Sequence, residues 1–305
     1  MSPGPDRAVL LLGFGSPASL DELPQFLARV TGRPVSPEML SRSRARYSRI
    51  SGSLFLEISE RQARDLEAWL NRQGPRWQVF LGFLHSAPSI ADAVAQIIAR
   101  SIPRVVGLPL TPFTSSRSTG AYAQAAAEAL KKAGREMEFI FINSFHDHPL
   151  FLDAVAEKLD QVFWEHPDLA RTDTPVLFTA HSLPQSLPDS ATYRAQLEQS
   201  RQAVAERLGL GKTALAFQSR GGGPGAWLEP TIEQVAADFA GQGEKNLAVS
   251  PLGFISDHVE TLYDLDVEFK EKVTALGVRY FRAASLNDSP RFIEALADLV
   301  EARLK

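Results

Sequence analysis

Short apolar runs alternate along the chain with longer segments whose apolar residues recur at the spacing of an amphipathic helix. In the first half, the predicted strands are 8–12, 77–82, 104–110 and 138–143. Between them, the segments 57–72, 90–100 and 119–132 are predicted helices. Strands that alternate with helices in this order predict an α/β fold, in which a parallel sheet is flanked by helices.

The same alternation starts again after residue 145. Its predicted strands are 175–179, 214–218, 246–250 and 277–281, and its predicted helices are 149–165, 194–208, 232–240 and 290–304. Each half opens with a strand that runs into a loop rich in serine and proline, LLLGFGSP in the first and VLFTAHSLP in the second. A chain of 305 residues is long enough for two domains. We therefore predict domains at 1–145 and 146–305, with the C-terminal helix able to pack back on the first.

The composition narrows the classes of function. The formal net charge of −4 argues against a nucleic-acid-binding protein, which needs a basic surface. The chain has no cysteine, which excludes disulfides, thiolate metal sites and a cysteine-ligated iron–sulfur cluster. No run is apolar over the length of a membrane-spanning helix, and the run 8–12 lacks the flanks of a signal peptide. We expect a cytoplasmic protein without a transmembrane segment.

The stretch SDHVETLYDLDVE, at 256–268, carries five carboxylates and neither lysine nor arginine. On a helix, Asp257, Glu260, Asp264 and Glu268 would share one face, whereas Asp266 would lie off that face and meet solvent. The nearest lysines follow the stretch and lie too far along the chain to neutralise its first half. Such a face is either a solvated surface or a site for a cation, and the spacing alone favours neither.

A histidine, His181, follows the predicted strand 175–179. Pro184 and Pro188 stiffen its loop and would hold the imidazole in one place. A fixed, neutral imidazole can accept a proton or bind a borderline metal. Glu260 follows another predicted strand, 246–250, and ligands of open α/β sheets bind beyond the carboxyl ends of strands, so both side chains are expected at one site. Histidine with carboxylates suits divalent iron, manganese or zinc.

Other segments suggest the kind of ligand. The glycine run within FQSRGGGPGAWLEP, at 217–230, allows a close approach of the backbone, and Trp227 could pack against a flat molecule. In the first half, Arg46 with Tyr47, Ser53 and the SSRS run at 115–118 supply hydroxyls and cations. These groups suit an anionic, partly aromatic ligand.

Two glycine motifs resemble nucleotide-binding sequences but fit them poorly. GFGSPA at 13–18 matches the dinucleotide fingerprint, but Pro17 stands where helix N–H groups should meet the pyrophosphate. GLGKT at 209–213 resembles the end of a phosphate loop, but it precedes a predicted strand instead of following one. A nicotinamide-dependent dehydrogenase is therefore a distant alternative.

The segments LLLGFGSP, RYSRISG, PLTPFTSSRSTGAY, TAHSLP, FQSRGGGPGAWLEP and GFISDHVETLYDLDVE occur in this order over nearly the whole chain. Together they resemble the ferrochelatases, enzymes that insert ferrous iron into protoporphyrin IX or coproporphyrin III in haem biosynthesis. The resemblance implies two Rossmann-like domains of the chelatase type, each a parallel sheet flanked by helices, with a porphyrin cleft between them. It also implies ferrous iron and a porphyrin as substrates, and no permanent cofactor.

The resemblance also implies roles for individual residues. His181 and Glu260 are implied as catalytic and, with Asp264 and Glu268, as metal-binding residues. The residues implied to bind the porphyrin are Phe14, Arg46, Tyr47, Ser53, Ser118 and Tyr122. Two features depart from the family: Phe14 stands where some coproporphyrin-type enzymes have a tyrosine, and the loop 51–56 is shorter than its counterpart and lacks a proline.

Two other functions stay open at this point. One is a haem- or porphyrin-binding protein without chelatase activity, which would not need the row of carboxylates beside His181. The other is a chelatase for another metal or tetrapyrrole, against which the segments HSLP and DHVETLYD argue. Neither the choice of porphyrin nor the oligomeric state follows from the sequence.

Overall fold

The computed structural model describes residues 5–50, 53–72, 77–134, 137–221 and 225–303, which form two compact units. The first unit comprises Met1–Phe145 together with Asn287–Lys305. The second unit is His146–Leu286. Each unit is built on its own four-stranded sheet.

The sheet of the first unit is parallel throughout, as predicted. Its strands are β1 (Arg7–Gly13), β2 (Trp77–Phe83), β3 (Arg104–Pro109) and β4 (Glu138–Phe141), in the order β2-β1-β3-β4. The central residues of β1, 8–12, are fully buried. A strand that is covered on both faces of a parallel sheet reads as a continuous apolar run, which is why the AVLLL pattern identified it.

The helices of the first half of the chain are α1 (Leu23–Thr31), α2 (Pro37–Arg49), α3 (Phe55–Leu70), α4 (Ile90–Ala99) and α5 (Thr119–Ala133). Neither α1 nor α2 is among the helices predicted from the sequence. Both helices have proline in the first turn, where its missing N–H group has no helical partner to lose. In α2 the Ser36 side chain also caps the helix by accepting a hydrogen bond from Met39 N.

The second unit repeats the parallel arrangement. Its strands are β5 (Val176–His181), β6 (Thr213–Gln218), β7 (Asn246–Ser250) and β8 (Arg279–Arg282), in the order β6-β5-β7-β8. Its helices are α6 (Pro149–Glu165), α7 (Ser190–Leu208), α8 (Ile232–Gly241), α9 (Val259–Leu262) and α10 (Lys270–Ala275). Two Rossmann-like units with parallel sheets flanked by helices confirm the predicted fold class.

The chain between β7 and β8 differs from its prediction. The stretch 256–268 was expected to form one regular helix, but the short helix α9 is followed by a π-helical segment, Asp264–Phe269, which then leads into α10. Asp257 lies before the first of these helices. The prediction of a single acidic face along a regular helix is therefore wrong, because a π-helix places side chains at a different angular spacing.

The last helix, α11 (Pro290–Glu301), belongs to the first unit. It is fixed to α3 by an ion pair between Arg61 Nε and Asp288 Oδ2 at 2.6 Å, and by a hydrogen bond from Gln62 Nε2 to Asn287 O at 2.7 Å. Phe292 on its inner face is fully buried. In the described part of the chain, no helix combines the length and apolar character needed to cross a bilayer.

Candidate active site

The candidate site of the second unit lies at the carboxyl ends of its strands. His181 is the last residue of β5 and is paired in register with Gln218, the last residue of β6. On the other side of β5, β7 leads into the loop and short helix that carry Glu260. Because all these strands run parallel, their final residues and the loops that follow gather at one edge of the sheet.

A glycine lets the loop after β7 lie close to β5. Gly253 N donates a hydrogen bond to Thr179 O at 2.9 Å. A Cβ atom at position 253 would come within 2.7 Å of Ala180, a distance that real side chains do not reach. Only glycine allows this approach, and it brings the residues that follow toward the end of β5.

The central contact of the site joins His181 to Glu260. His181 Nε2 lies 3.5 Å from Glu260 Oε1, and both side chains are partly buried. On the other side of the ring, His181 Nδ1 lies 2.6 Å from the backbone oxygen of Ser182. Since a carbonyl oxygen can only accept, Nδ1 carries a proton and Nε2 is the nitrogen that titrates. The ring is therefore held with its titrating nitrogen next to the Glu260 carboxylate.

The protonation state of His181 differs from the prediction of a neutral imidazole. Burial lowers the pKa of His181, but the Glu260 carboxylate, its hydrogen bond to the ring and the Ser182 carbonyl outweigh burial and raise the pKa to about 9. At neutral pH and without a cation, His181 is therefore protonated. The expected neutral imidazole is wrong for this state: His181 and Glu260 form an ion pair that contains one mobile proton.

A second histidine, His258, lies on the other side of the same carboxylate, although it is not among the predicted site residues. His258 Nε2 is 3.9 Å from Glu260 Oε2, and the His258 ring packs edge-on against Phe254 with centroids 5.1 Å apart. Burial lowers the pKa of His258, and the neighbouring carboxylates offset this only in part, so the ring is neutral at pH 7. Glu260 thus lies between one charged and one neutral imidazole.

Asp264 is bound to the end of β6. Its Oδ2 accepts a hydrogen bond from Ser219 Oγ at 2.6 Å, and Gln218 Nε2 donates to the backbone oxygen of Glu260 at 2.7 Å. Ser219 has a left-handed backbone conformation, with φ at 57°. Such a conformation costs a residue other than glycine about 1–3 kcal/mol and is typical of functional sites. The end of β6 therefore holds the π-helical segment beside His181.

The other carboxylates of the stretch, Asp257, Asp266 and Glu268, have cationic partners. Glu268 Oε1 lies 2.8 Å from Lys272 Nζ, and both side chains are about half exposed. Asp266 was expected to meet solvent, but Arg282 donates to both of its oxygens, at 2.6 and 2.7 Å. Arg282 also lies 3.3 Å from Asp257. The local sequence could not show the two contacts of Arg282, because Arg282 comes from β8.

The four predicted metal-binding residues do not form one coordination sphere. Among the described residues, no three histidine or acidic side chains are arranged so that they could hold a metal ion. His181 and Glu260 lie together, Asp264 is bound to Ser219, and Glu268 is paired with Lys272 on the exposed side.

In the first unit, Phe14 follows β1 and presents an accessible aromatic surface. Phe14 is 37% exposed, and its ring packs edge-on against His85 and Phe26, with centroids 4.6 and 6.3 Å away. His85, which follows β2, lies in no motif that the sequence singles out. Burial lowers the pKa of His85, and the charge of Arg29 lowers it further, so this ring is neutral. An aromatic ring and a neutral imidazole therefore lie together at this edge of the sheet.

The other predicted porphyrin-binding residues differ in their accessibility. Ser118 lies directly before α5 and is partly exposed, whereas Tyr122, one turn later, is 3% exposed and packs in the hydrophobic core of the unit. Arg46 and Tyr47 belong to the last turn of α2, and Tyr47 is buried. Tyr122 is thus a core residue of this unit.

Near the start of α3, Ser53 Oγ accepts a hydrogen bond from Phe55 N at 3.3 Å. The residues just before it, Ser51 and Gly52, lie outside the described residues, as does the centre of the glycine run at 222–224. The segment 13–18 does not open a helix, since α1 begins only at Leu23. This geometry disfavours a dinucleotide site there.

Comparisons with known proteins agree with the architecture. A sequence model described as Ferrochelatase matches residues 6–304. The ferrochelatase of Citrifermentans bemidjiense is 37% identical to this chain, over 98% of this chain and 98% of its own length. The ferrochelatase of Thermus thermophilus is 33% identical, over 96% of this chain and 98% of its own length.

Two solved structures share the fold at low sequence identity. SirB from Bacillus subtilis with Fe3+ has a TM-score of 0.62 at 10% identity, covering 97% of this chain and 94% of that chain. CbiX, described as the terminal enzyme for biosynthesis of sirohaem in denitrifying bacteria, has a TM-score of 0.56 at 12% identity, covering 97% and 99%. These likenesses show the fold alone. The sequence matches extend over nearly the full length of this chain and of its relatives, and on that ground the chain belongs to the ferrochelatase family.

Proposed function

We propose that this protein inserts ferrous iron into a porphyrin with release of two protons, and that the reaction takes place beside His181 and Glu260. Membership of the ferrochelatase family supports the reaction, and the 3.5 Å contact between these two side chains is the observation that carries the assignment of the site. The reaction needs a proton acceptor and a ligand that accepts a hydrated dication, and this pair offers one of each. As a metal-inserting chelatase of haem biosynthesis, the protein is further proposed to be a lyase and to act in the cytoplasm.

The proton chemistry starts from the resting ion pair. When ferrous iron approaches Glu260, its two positive charges replace the imidazolium as the partner of the carboxylate and favour transfer of the proton on His181 Nε2 to solvent water. The neutral ring then has a lone pair at Nε2 and can take a proton from a pyrrole nitrogen. His258, which is already neutral, is the acceptor we assign to the second proton.

The remaining carboxylates offer the iron successive contacts on its way in. Glu268 is the outer one, because it is half exposed and paired with Lys272. Asp264 is the inner one, next to Ser219 at the end of β6. A hydrated cation that exchanges its ligands one at a time avoids a single costly loss of all its water.

The porphyrin is proposed to contact the predicted residues of the first unit. The exposed ring of Phe14 suits the face of a macrocycle, and Arg46 and Ser118 suit its carboxylates. Tyr122 is the weakest member of the set, since it is buried in the core.

The test is anaerobic incubation of the protein with ferrous iron and, in parallel, protoporphyrin IX and coproporphyrin III. We expect enzyme-dependent loss of the fluorescence of the free porphyrin and appearance of the iron-porphyrin absorbance with at least one of them. Tight binding of both porphyrins without iron-dependent conversion would instead indicate a porphyrin-binding protein. Conversion of sirohydrochlorin with cobalt, and of neither porphyrin, would indicate a chelatase for another tetrapyrrole.

A further inference from the structure

One guanidinium holds both ends of the segment that carries Glu260 and Asp264. Arg282 is the last residue of β8, and its side chain is only 11% exposed. Its Nε and Nη2 donate to the two oxygens of Asp266 at 2.6 and 2.7 Å, a bidentate geometry. Its Nη1 lies 3.3 Å from Asp257 Oδ1. Asp257 comes before α9 and Asp266 is in the π-helical segment, so the two anchors enclose both carboxylates of the site.

The anchor at Asp257 continues into the backbone of the site. Asp257 Oδ1 also accepts a hydrogen bond from Ser285 Oγ at 2.8 Å and lies 3.2 Å from Thr261 Oγ1. The same Thr261 hydroxyl accepts a hydrogen bond from His258 N at 3.0 Å. Arg282 is therefore linked to the backbone of His258 through the side chains of Asp257 and Thr261.

Arg282 also neutralises the negative charges of its two anchors, Asp257 and Asp266. Asp257 and Asp266 would repel the other carboxylates of the segment if nothing neutralised them, and such repulsion favours a looser, more solvated arrangement. A planar guanidinium can neutralise both at once, because its N–H groups point in several fixed directions. A lysine, which is a single point of charge, cannot bridge two carboxylates in the same way.

We propose that Arg282 is a positioning residue for iron insertion, which fixes Glu260 and His258 opposite His181. This inference rests on the proposed function of the site. Arg282 acts through the two aspartates and their hydrogen bonds, and it holds in place the segment that carries Glu260 and His258.

The same strand supplies a matched control. Arg279, at the start of β8, forms an ion pair with Asp168 at 2.6 Å, and both side chains are about half exposed. Exposed ion pairs of this kind contribute little to the stability of a protein. Arg279→Gln therefore removes the same charge from the same strand, but leaves the site untouched.

The experiment compares Arg282→Gln, Arg282→Lys and Arg279→Gln in anaerobic iron insertion at varied iron and varied porphyrin. For Arg282→Gln we expect kcat to fall about 10–100-fold, the cost typical of misplacing catalytic groups by about 1 Å. The KM for iron should rise, while the KM for porphyrin should stay within about twofold. Arg282→Lys should recover only part of the loss, and Arg279→Gln should match the wild type.

A milder variant and a second readout keep the test decisive if Arg282→Gln folds poorly. Asp266→Asn keeps the shape of the side chain and the second anchor at Asp257, and should give a smaller loss in kcat of the same pattern. Hydrogen exchange of the backbone at 257–266 should be faster in both variants and unchanged in Arg279→Gln.

The inference is overturned if Arg282→Gln and Asp266→Asn turn over like the wild type. It is also overturned if kcat, porphyrin affinity and melting temperature all fall together, because that would be general destabilisation. Failure of the wild type to insert iron into any porphyrin is a different result, which contradicts the proposed function itself.

Discussion

His181 Nε2 and Glu260 Oε1 lie 3.5 Å apart although the two residues come from different elements, His181 from the end of β5 and Glu260 from the short helix α9 that follows β7. The contact depends on Gly253, which allows the loop after β7 to lie against Ala180. The contact makes an ion pair of the two side chains. In the mechanism we propose, the arrival of ferrous iron at Glu260 is the event that makes His181 ready to accept a proton.

The ionisation of His181 can be measured directly. An NMR titration of its ring should give a pKa of about 9, and Glu260→Gln should lower the pKa markedly, because burial then acts without the carboxylate. Since the pKa is raised in the folded protein, the ion pair stabilises the fold below the ordinary histidine pKa, and this contribution is lost as the pH rises through about 9. An ordinary pKa in the wild type, or no change in the variant, would contradict the ion pair.

His181 and His258 should differ in how much they contribute to the rate of iron insertion. Replacing a positioned general base typically costs about 10²–10⁴-fold in rate, and we expect His181→Ala to fall in this range. His258→Ala should cost less, since His258 lies further from Glu260, at 3.9 Å. Initial rates of iron insertion check the order, with porphyrin binding as the control for folding. Normal turnover by His181→Ala would show that its assignment is wrong.

Asp264 and Glu268 should also differ in how much they contribute to kcat/KM for iron. Asp264→Asn changes a carboxylate that is bound to Ser219 at the end of β6, and should lower kcat/KM for iron about tenfold, as loss of a charged contact worth roughly 1.4 kcal/mol would. Glu268→Gln removes a half-exposed carboxylate that already has Lys272 as its partner, and should cost less than about threefold. The reverse order would place the main entry point of iron at Glu268.

The strands could be predicted from the sequence because burial on both faces leaves a simple apolar run, as at 8–12 and 176–180. His181 and Glu260 could be placed near one another because each follows a strand of a parallel sheet. The charge of His181 could not be predicted from the sequence, since it depends on the distance to Glu260, which lies far away in the chain. Arg282 escaped notice for the same reason: nothing near it in the sequence is acidic.

The helices show a second limit of prediction from the sequence pattern. Apolar spacing does not distinguish an α-helix from a chain that widens into a π-helix at Asp264, so the acidic residues were assigned to one face. Likewise, α1 and α2 were not among the predicted helices, although each has proline in its first turn.

The close approach at Gly253 gives a steric test of the site. Gly253→Ala adds a methyl group that would clash with Ala180, and should reduce stability by about 1–3 kcal/mol and slow iron insertion by moving the loop that carries Glu260. Gly241→Ala is the matched control, because a Cβ at that position meets no atom within 4 Å. Thermal unfolding and turnover of both variants check the prediction. Equal behaviour of the two would show that the approach does not support the site.

The most direct test of the central claim is iron insertion by Glu260→Gln under anaerobic conditions, measured beside the wild type. The variant keeps the size of the side chain and removes the charge that both attracts iron and controls the proton on His181. We predict that it binds porphyrin like the wild type but inserts iron about 100-fold or more slowly, within the range expected for loss of a preorganised charged group. Wild-type turnover by Glu260→Gln would contradict the account.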